Sequence, residues 1–414
     1  MSITRKVAAA VSGVAWIVIG GLAQAADPPI RIATIEPLSG PPAAVGKWWT
    51  NQAQFAVDRL NAGGGVLGRK VELVPFDSKS SPAEALIALK AATDQGIRFV
   101  FGTAGSHVAI ALSEAITKHN ARNPDARVLF LNYGGVAPEL TNEQCSFWHF
   151  RFEANGDQKV VGLLQQVLAS KNVRKAYLLN QDYAYGQAVR KLLRELLAQR
   201  RLDIEIVGDD LIQLQKAKDF APYVAKIRAS GADTVITSVW GSDLILLMRA
   251  SHDSRLGARF YTLNAHFIGT PTAIGEAGAE RLVNVNAWHP NVSDGKLQPY
   301  YLEFKGKYRQ EWNHLPMKAA VEMWARAIES TKSTDAIKIA QALETTRYDA
   351  GSGTMWIRAD DHQIMQPLYA AVFTKVGPGV KYDAEGTGFG WKTEGRVDAE
   401  ETVLPHRCKM ERPR

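Results

Sequence analysis

Short apolar runs, each closing on small or turn-forming residues, alternate with amphipathic stretches along most of the chain. The first run, Ile30 to Ile35, stops at Glu36-Pro37 and enters Ser39-Gly40-Pro41-Pro42. A helical pattern follows, with Phe55, Val57 and Leu60 among its apolar positions, and Asn61-Ala62-Gly63-Gly64-Gly65 ends it. Val71 to Phe76 is the next run. A run too short for a buried helix, a 3.6-period stretch and a second run predict one βαβ unit. The rhythm continues through a helix from Pro82 to about Gln95, a strand from Arg98 to Phe101, a helix from Val108 to His119 and a strand from Val128 to Leu131. Such regular alternation predicts a parallel sheet with right-handed crossovers.

The aromatic, extended stretch Phe147 to Phe152 reads as a crossing into a second lobe. There the scheme repeats, with strands at Ala176–Leu179, Thr234–Val239 and Phe260–Leu263 and helices at Gly186–Gln199 and Ala221–Ala229. Leu282 to Trp288 leads back, and Leu297–Tyr308, Met317–Ser330 and Asp335–Thr345 are helices for the first lobe. Tyr348 to Gly353 is a third crossing, and strands within Met355–Val376 belong to the second lobe, before a Gly-rich tail. The expected fold class is α/β: two Rossmann-like lobes with parallel sheets, joined by a three-strand hinge. The boundaries are a leader at 1–25, lobe 1 at 26–149 and 286–349, lobe 2 at 150–285 and 350–395, and a tail at 396–414.

The leader changes the picture of where the chain works. Arg5 and Lys6 precede an apolar run from Val7 to Leu22, which ends in Ala23-Gln24-Ala25. This is a secretory signal with an A-x-A cleavage site near Ala25. No cysteine follows that site, so lipid attachment there is not expected. The mature protein is expected to be soluble in the periplasm. With 46% hydrophobic and 22% charged residues, the composition is that of a folded globular chain rather than a disordered one. A net charge of +7 over 414 residues, without a dense Lys/Arg stripe, argues against a nucleic-acid partner. The two cysteines, Cys145 and Cys408, are too far apart in sequence for a CxxC redox motif or a multi-thiolate zinc site. A disulfide between them and two unpaired thiols are both compatible with the sequence, which does not fix their Cα separation.

Candidate chemistry follows from topology. In open α/β sheets ligands sit beyond the carboxyl ends of strands. Facing lobes would therefore put Leu38–Gly46, Thr103–His107 and Asn132–Val136 on one wall, and Tyr183–Gly186, Trp240–Asp243 and Asn264–His266 on the other. The loop Gly102–His107 opens a helix, whose N–H groups can bind a carboxylate with help from the Ser106 hydroxyl; simple N-capping is the plainer reading. Gly134-Gly135 either presents N–H groups or makes a tight turn. Tyr183, Tyr185 and Trp240 are suited to close over an apolar or aromatic solute, or to pack on the lobe surface. At most one of Trp48 and Trp49 faces the cleft, since helix neighbours point apart. Gly63-Gly64-Gly65 follows a helix instead of opening one, so it is a turn and not a phosphate loop. No GxSxG, HExxH or Walker A motif is present, and the histidines are scattered, so the chain is not expected to be an enzyme and no cofactor or metal is expected. Asp360-Asp361-His362 reads as a solvated turn.

The wording IEPLSGPPAAVG, then AVDRLNAGGGVLGRKVELVPFDSKS, then APELT at Ala137–Thr141, resembles the leucine/isoleucine/valine-binding proteins, periplasmic receptors of ABC importers. The resemblance covers most of the mature chain and fades after about Asp294. It implies a type I periplasmic binding fold, a monomer that captures a small molecule, and an ABC permease complex at the membrane as partner. It implies that Ser106 holds a ligand carboxylate, that Val136 stands where a hydroxyl residue usually helps, and that Tyr185-Gly186 and the region of Trp240 pack on the ligand. Topology and the resemblance together give the expected ligand-binding set Gly105, Ser106, His107, Gly135, Val136, Tyr185, Trp240, Asn264 and Ala265. The family's amino acid binders place an acid in the loop that here reads Asn264-Ala265-His266. Burying an ammonium without a counter-ion costs on the order of several kcal/mol. An apolar or aromatic carboxylate therefore fits the residues at least as well as a branched-chain amino acid. A ligand-sensing module on the same fold is the alternative. A hydrolase would need an activated nucleophile, and none is legible.

Overall fold

The computed structural model of the chain describes residues 27–200, 203–293 and 295–413, so the expected cleavage site near Ala25 lies outside the described residues. The first half builds β1 (Ile30–Glu36), α1 (Ala43–Ala62), β2 (Val71–Asp77), α2 (Pro82–Asp94), β3 (Phe99–Gly102), α3 (Ser106–Arg122), β4 (Leu129–Asn132) and β5 (His149–Arg151). These strands make one sheet in the order β2-β1-β3-β4-β5, parallel throughout. Helices cover both faces, which is why β3 and β4 are buried along their whole length and read as unbroken apolar runs.

The second group is α4 (Gly156–Ala169), β6 (Lys175–Gln181), α5 (Ala184–Arg200), β7 (Glu205–Ile212), α6 (Ala221–Ala229), β8 (Thr234–Thr237), α7 (Ser242–Asp253), β9 (Arg259–Thr262), α8 (Thr270–Ile274) and β10 (Leu282–Asn286). The chain then gives α9 (Gln298–Tyr308), α10 (Leu315–Thr331), α11 (Ala336–Thr345), β11 (Arg347–Asp349), β12 (Thr354–Ile357), β13 (Ile364–Met365), β14 (Leu368–Lys375) and β15 (Phe389–Val397). The second sheet runs β15-β14-β10-β9-β8-β6-β7, with β6 to β10 parallel and β14 and β15 antiparallel at one edge. Among the described residues no helix is long and apolar enough to cross a membrane.

Three features differ from the sequence reading. First, β7 was not expected: Gly208, Asp209 and Asp210 interrupt its apolar pattern. It survives as an edge strand because Arg190 and Arg194 neutralise Asp209, while the Tyr177 hydroxyl and Lys226 bind Asp210. Second, the supposed tail beyond Gly377 contains β15, whose hydrogen bonds to β14 need few apolar side chains. Third, residues 350–365 do not return to the second lobe. The small antiparallel sheet β11-β12-β13 places Tyr348, Met355, Ile357 and Ile364 in the first lobe's core, beside side chains of α9, α10 and α11. The crossing falls just before β14 instead.

In the Asp360-Asp361-His362 turn Asp360 is exposed as expected, but Asp361 and His362 are buried, held by Arg358 and Glu344. Cys145 and Cys408 form a disulfide across a Cα separation of 5.6 Å. The tail thereby leaves the second lobe after β15 and is fastened to the first lobe. Its Arg407 N–H donates to Asn142 Oδ1 at 3.0 Å, and Arg412 reaches Glu344. This strap is a further link between lobes that the sequence reading left open.

Candidate functional site

The first wall of the cleft is built at the carboxyl ends of β1, β3 and β4. Gly105, at φ +104°, turns the chain into α3; its left-handed backbone is cheap for glycine alone among common residues. Ser106 is buried, and its Oγ accepts hydrogen bonds from the N–H groups of Val136 (3.2 Å) and Ala137 (3.0 Å). It therefore ties α3 to the loop after β4. The N–H groups of Gly134 and Gly135 do not point into open space: both donate to Asn132 Oδ1, at 2.9 and 2.7 Å. The carboxyl at the start of α3 is the protein's own. Glu36 Oε2 accepts from Ala104 N–H at 3.0 Å, and burial pushes the Glu36 acid up to about 8. The buried Tyr133 hydroxyl lies near enough to perturb that acid, although it makes no hydrogen bond of good geometry.

On α1, Trp49 and Gln52 sit one turn apart on the cleft side. Trp49 stacks on His314 (centroids 4.7 Å apart) and meets Tyr133 edge-on at 5.7 Å. A Cβ on Gly134 would lie 2.3 Å from the Trp49 ring, so the indole's seat requires glycine there. His314 donates its Nε2–H to the Tyr133 carbonyl at 2.8 Å, leaving Nδ1 with the lone pair. Burial holds the His314 ring neutral, with its pKa down to about 3.

The second wall is aromatic. Trp240 Nε1 donates to the Tyr183 hydroxyl at 3.0 Å, and Tyr183 meets Tyr185 edge-on at 6.0 Å. Asn264 Nδ2 donates to the Ser238 carbonyl at 3.2 Å and is 3.4 Å from the Tyr185 hydroxyl. Ala265 N–H is taken by Asn284 Oδ1 at 2.7 Å, so it is not free for a ligand. Phe267 touches Trp240 at 6.0 Å on its own side and Trp49 and Trp48 at 5.9 and 6.4 Å on the other. His107 approaches Tyr183 across the gap at 6.3 Å, while its Nε2 is engaged by the Ser80 carbonyl at 3.0 Å. Asn313 Nδ2 donates to the His266 carbonyl at 3.0 Å. The two walls are closed on one another.

Beneath the closed walls, where the chain passes from β5 to α4, lies a buried charge cluster. Lys159 and Glu153 are each 2% exposed and 3.5 Å apart, and His314 Nδ1 is 3.7 Å from Glu153. Burial raises the Glu153 acid against the pull of Lys159. Nearby Arg151 is fully buried and binds Gln363, Ala137 and Thr141, so it fastens the first-wall loop to the hinge. Among the described residues no group of three His, Cys, Asp or Glu side chains is arranged to hold a metal. The groove of about 840 Å³ between α6 and α7 lies away from this cleft, and none of its lining residues carries an unpartnered buried polar atom.

The structure thus gathers Ser106, His107, Val136, Tyr185, Trp240 and Asn264 around one closed gap. It spends the N–H groups of Gly135 and Ala265 on internal bonds, and leaves Gly105 a backbone role. Glu36, Trp49, Gln52, Tyr133, Glu153, Lys159, His266, Phe267 and His314 also belong to the cleft region. Glu36, at a strand's carboxyl end, carried a topological signal. Glu153, Lys159 and His314 carried none, because only the hinge brings them together.

The periplasmic binding protein family model matches residues 29–378. Leu/Ile/Val-binding protein homolog 4 of Brucella melitensis is 31% identical over 411 residues, covering 95% of this chain and 96% of that one. The closed crystal structure of a leucine-, isoleucine-, valine-, threonine- and alanine-binding protein from Brucella ovis superposes with a TM-score of 0.83 at 28% identity, covering 93% of this chain and all of that one. A Rhodopseudomonas palustris solute-binding protein in complex with 3,4-dihydroxybenzoic acid superposes with a TM-score of 0.78 at 16% identity, covering 90% of this chain and 98% of that one.

Proposed function

The chain belongs to the periplasmic binding protein family, non-catalytic extracytoplasmic receptors of ABC importers, and on that premise we propose that its closed cleft captures a small carboxylate with an apolar or aromatic body, or a branched-chain amino acid, for delivery to an ABC permease complex. In this reading the leader is removed near Ala25 and the mature receptor acts as a monomer. The observation that carries the ligand class is the ring system Trp49, Phe267, Trp240 and Tyr183. It bridges both lobes and offers flat apolar faces together with polar atoms. Lobe closure commits the receptor to a ligand small enough to fit between these rings. The fold accommodates an aromatic acid in the Rhodopseudomonas protein, which is compatible with this size and chemistry.

The test is a thermal-shift panel on the purified mature protein, using branched-chain amino acids and aromatic acids. A true ligand at about 100 times its dissociation constant stabilises by roughly 2.7 kcal/mol. Stabilisation by a member of either class supports the reading. Chemical turnover of the ligand, or stabilisation confined to large or cationic solutes, would overturn it.

A further inference from the structure

We propose that Glu385 is a positioning residue of the capture site: it sets the turn that carries Phe267 and hooks that turn onto Glu311 of the first lobe, so that the closed receptor releases its ligand slowly. This rests on the cleft being the ligand site, and it adds a residue outside the cleft that acts through Phe267.

The turn begins at Phe267 itself. Thr270 N–H donates to the Phe267 carbonyl at 3.0 Å, and Gly269 takes the third position at φ +80° and ψ −16°. A type II turn has this form and favours glycine there. The Gly269 N–H donates to Glu385 Oε1 at 2.6 Å. Glu385 Oε2 accepts from the Thr272 N–H at 2.9 Å and from the Thr272 hydroxyl at 2.6 Å. Both oxygens of one carboxylate are spent, in charge-assisted bonds, on the segment that directly follows Phe267.

Local propensity does not select glutamate at this position. Glu385 lies in the loop between β14 and β15, where Thr387 N–H donates to the Ala384 carbonyl at 3.2 Å. Glu385 and Gly386, the two central residues, have φ +58° and +74°. That is the pattern of a type I′ turn, which favours Asn, Asp or Gly where Glu385 stands. The three donors on its carboxylate account for the residue instead.

The backbone of Glu385 reaches across the lobes. Its N–H donates to Glu311 Oε1 at 3.1 Å. Glu311 is buried in the first lobe, where Lys305 and the Tyr301 hydroxyl also hold its carboxylate, at 2.7 and 2.6 Å. The Glu311 carbonyl accepts from Trp48 Nε1 at 2.6 Å, and the Trp48 ring lies 6.4 Å from Phe267. The contacts close a circuit: Phe267 to Trp48 by rings, Trp48 to Glu311 to Glu385 by hydrogen bonds, and Glu385 back to the Phe267 turn. Tyr382 meets Tyr301 edge-on at 5.6 Å and Asp383 lies 3.8 Å from Lys305, at the same junction. Opening the lobes breaks the ring contact and the Glu311 bond together, so the circuit resists release. Capture by parted lobes does not need it, and interface changes of this kind act mostly on dissociation.

The experiment is stopped-flow binding of 4-hydroxybenzoate and of leucine to the full mature protein, beside hydrogen exchange of the same variants read by mass spectrometry. Glu385→Ala is expected to speed dissociation of whichever probe binds by about tenfold, the factor that about 1.4 kcal/mol supplies, and to leave association within about twofold. Glu385→Gln, which keeps one acceptor oxygen, should fall between wild type and Glu385→Ala. In a Phe267→Ala background, Glu385→Ala should add less than about twofold, because both act through one contact. Amides of residues 267–274 should exchange faster in Glu385→Ala, while those of β8 and β10 exchange as in wild type. Unchanged dissociation, or a full tenfold effect in the Phe267→Ala background, would overturn the proposal. Should Glu385→Ala not fold, Glu385→Gln decides on the same terms. Should neither probe bind, exchange at residues 267–274 decides: faster exchange supports the proposal and unchanged exchange overturns it. Trp240→Ala separates the two readings. If it weakens binding while the Glu385 variants release at the wild-type rate, only this proposal fails. If it leaves every affinity unchanged, the cleft itself is misplaced.

Discussion

The indole of Trp49 on α1 meets the ring of Phe267 edge-on, with centroids 5.9 Å apart, although the two residues stand on opposite lobes. Phe267 also contacts Trp48 and Trp240, so three tryptophans converge on one half-buried ring. Aromatic pairs add about 0.5–1.5 kcal/mol each beyond area burial. Because Phe267 is not deep in either core, its loss should act on closure more than on folding. Phe267→Ala is expected to weaken ligand affinity by about 10- to 100-fold, with a small change in unfolding midpoint. Titration calorimetry beside thermal unfolding reads both. An affinity within about twofold of wild type would show that the ring takes no part in capture.

Ser106 supports the first wall from below. Its oxygen satisfies two buried N–H groups, those of Val136 and Ala137. Ser106→Ala leaves both without an acceptor, and a buried unmet donor costs about 1–3 kcal/mol. Urea unfolding should therefore show a loss of about that size, with weaker ligand binding as the loop after β4 shifts. A variant as stable as wild type would mean that the loop is held by other contacts.

Glu36 gives the protein a pH dependence of defined sign. Its folded acid is raised from 4.5 to about 8, so the folded state keeps a proton that the unfolded chain releases. The associated stability is complete below about pH 4.5 and is lost as pH rises towards 8, by up to about 1.4 kcal/mol per pH unit. Other buried groups titrate in the same range, so the informative quantity is the difference between wild type and Glu36→Gln. That difference should favour the variant increasingly from pH 5.5 to pH 8 in denaturant titrations. A constant difference would show that Glu36 is ionised throughout.

Much of this architecture was legible because strands buried on both faces leave continuous apolar runs, as at Phe99–Gly102 and Leu129–Asn132. Edge strands leave no such trace: β7 carries two aspartates, and β15 sits in glycine-rich sequence. For the candidate site, strand-end topology pointed to the loops that meet across the closed gap. It could not say which polar atoms in them were already spent, since that depends on partners such as Asn132 and Asn284. The hinge cluster was invisible for a different reason. Glu153, Lys159 and His314 are distant or unpatterned in sequence, and only the crossing from β5 to α4 brings them within reach.

The disulfide gives the last prediction. Cys145–Cys408 closes a loop with a sequence separation of 263 and holds a tail whose other anchors include the exposed pair Arg407–Glu143 and the half-exposed Arg412 on the largely buried Glu344. Exposed ion pairs contribute about 0–1 kcal/mol each, too little to hold the strap alone. The cross-link restricts the unfolded chain, an effect of about 2–5 kcal/mol for long loops. Cys145→Ser with Cys408→Ser should therefore lower stability by several kcal/mol, and trypsin should cut at Arg407 and Lys409 while the rest of the chain stays folded. Mass spectrometry after brief proteolysis reads this directly. Because the strap lies outside the cleft, ligand affinity should stay close to wild type. A double-serine variant whose tail resists trypsin as well as the oxidised protein does would mean that surface contacts suffice to dock it.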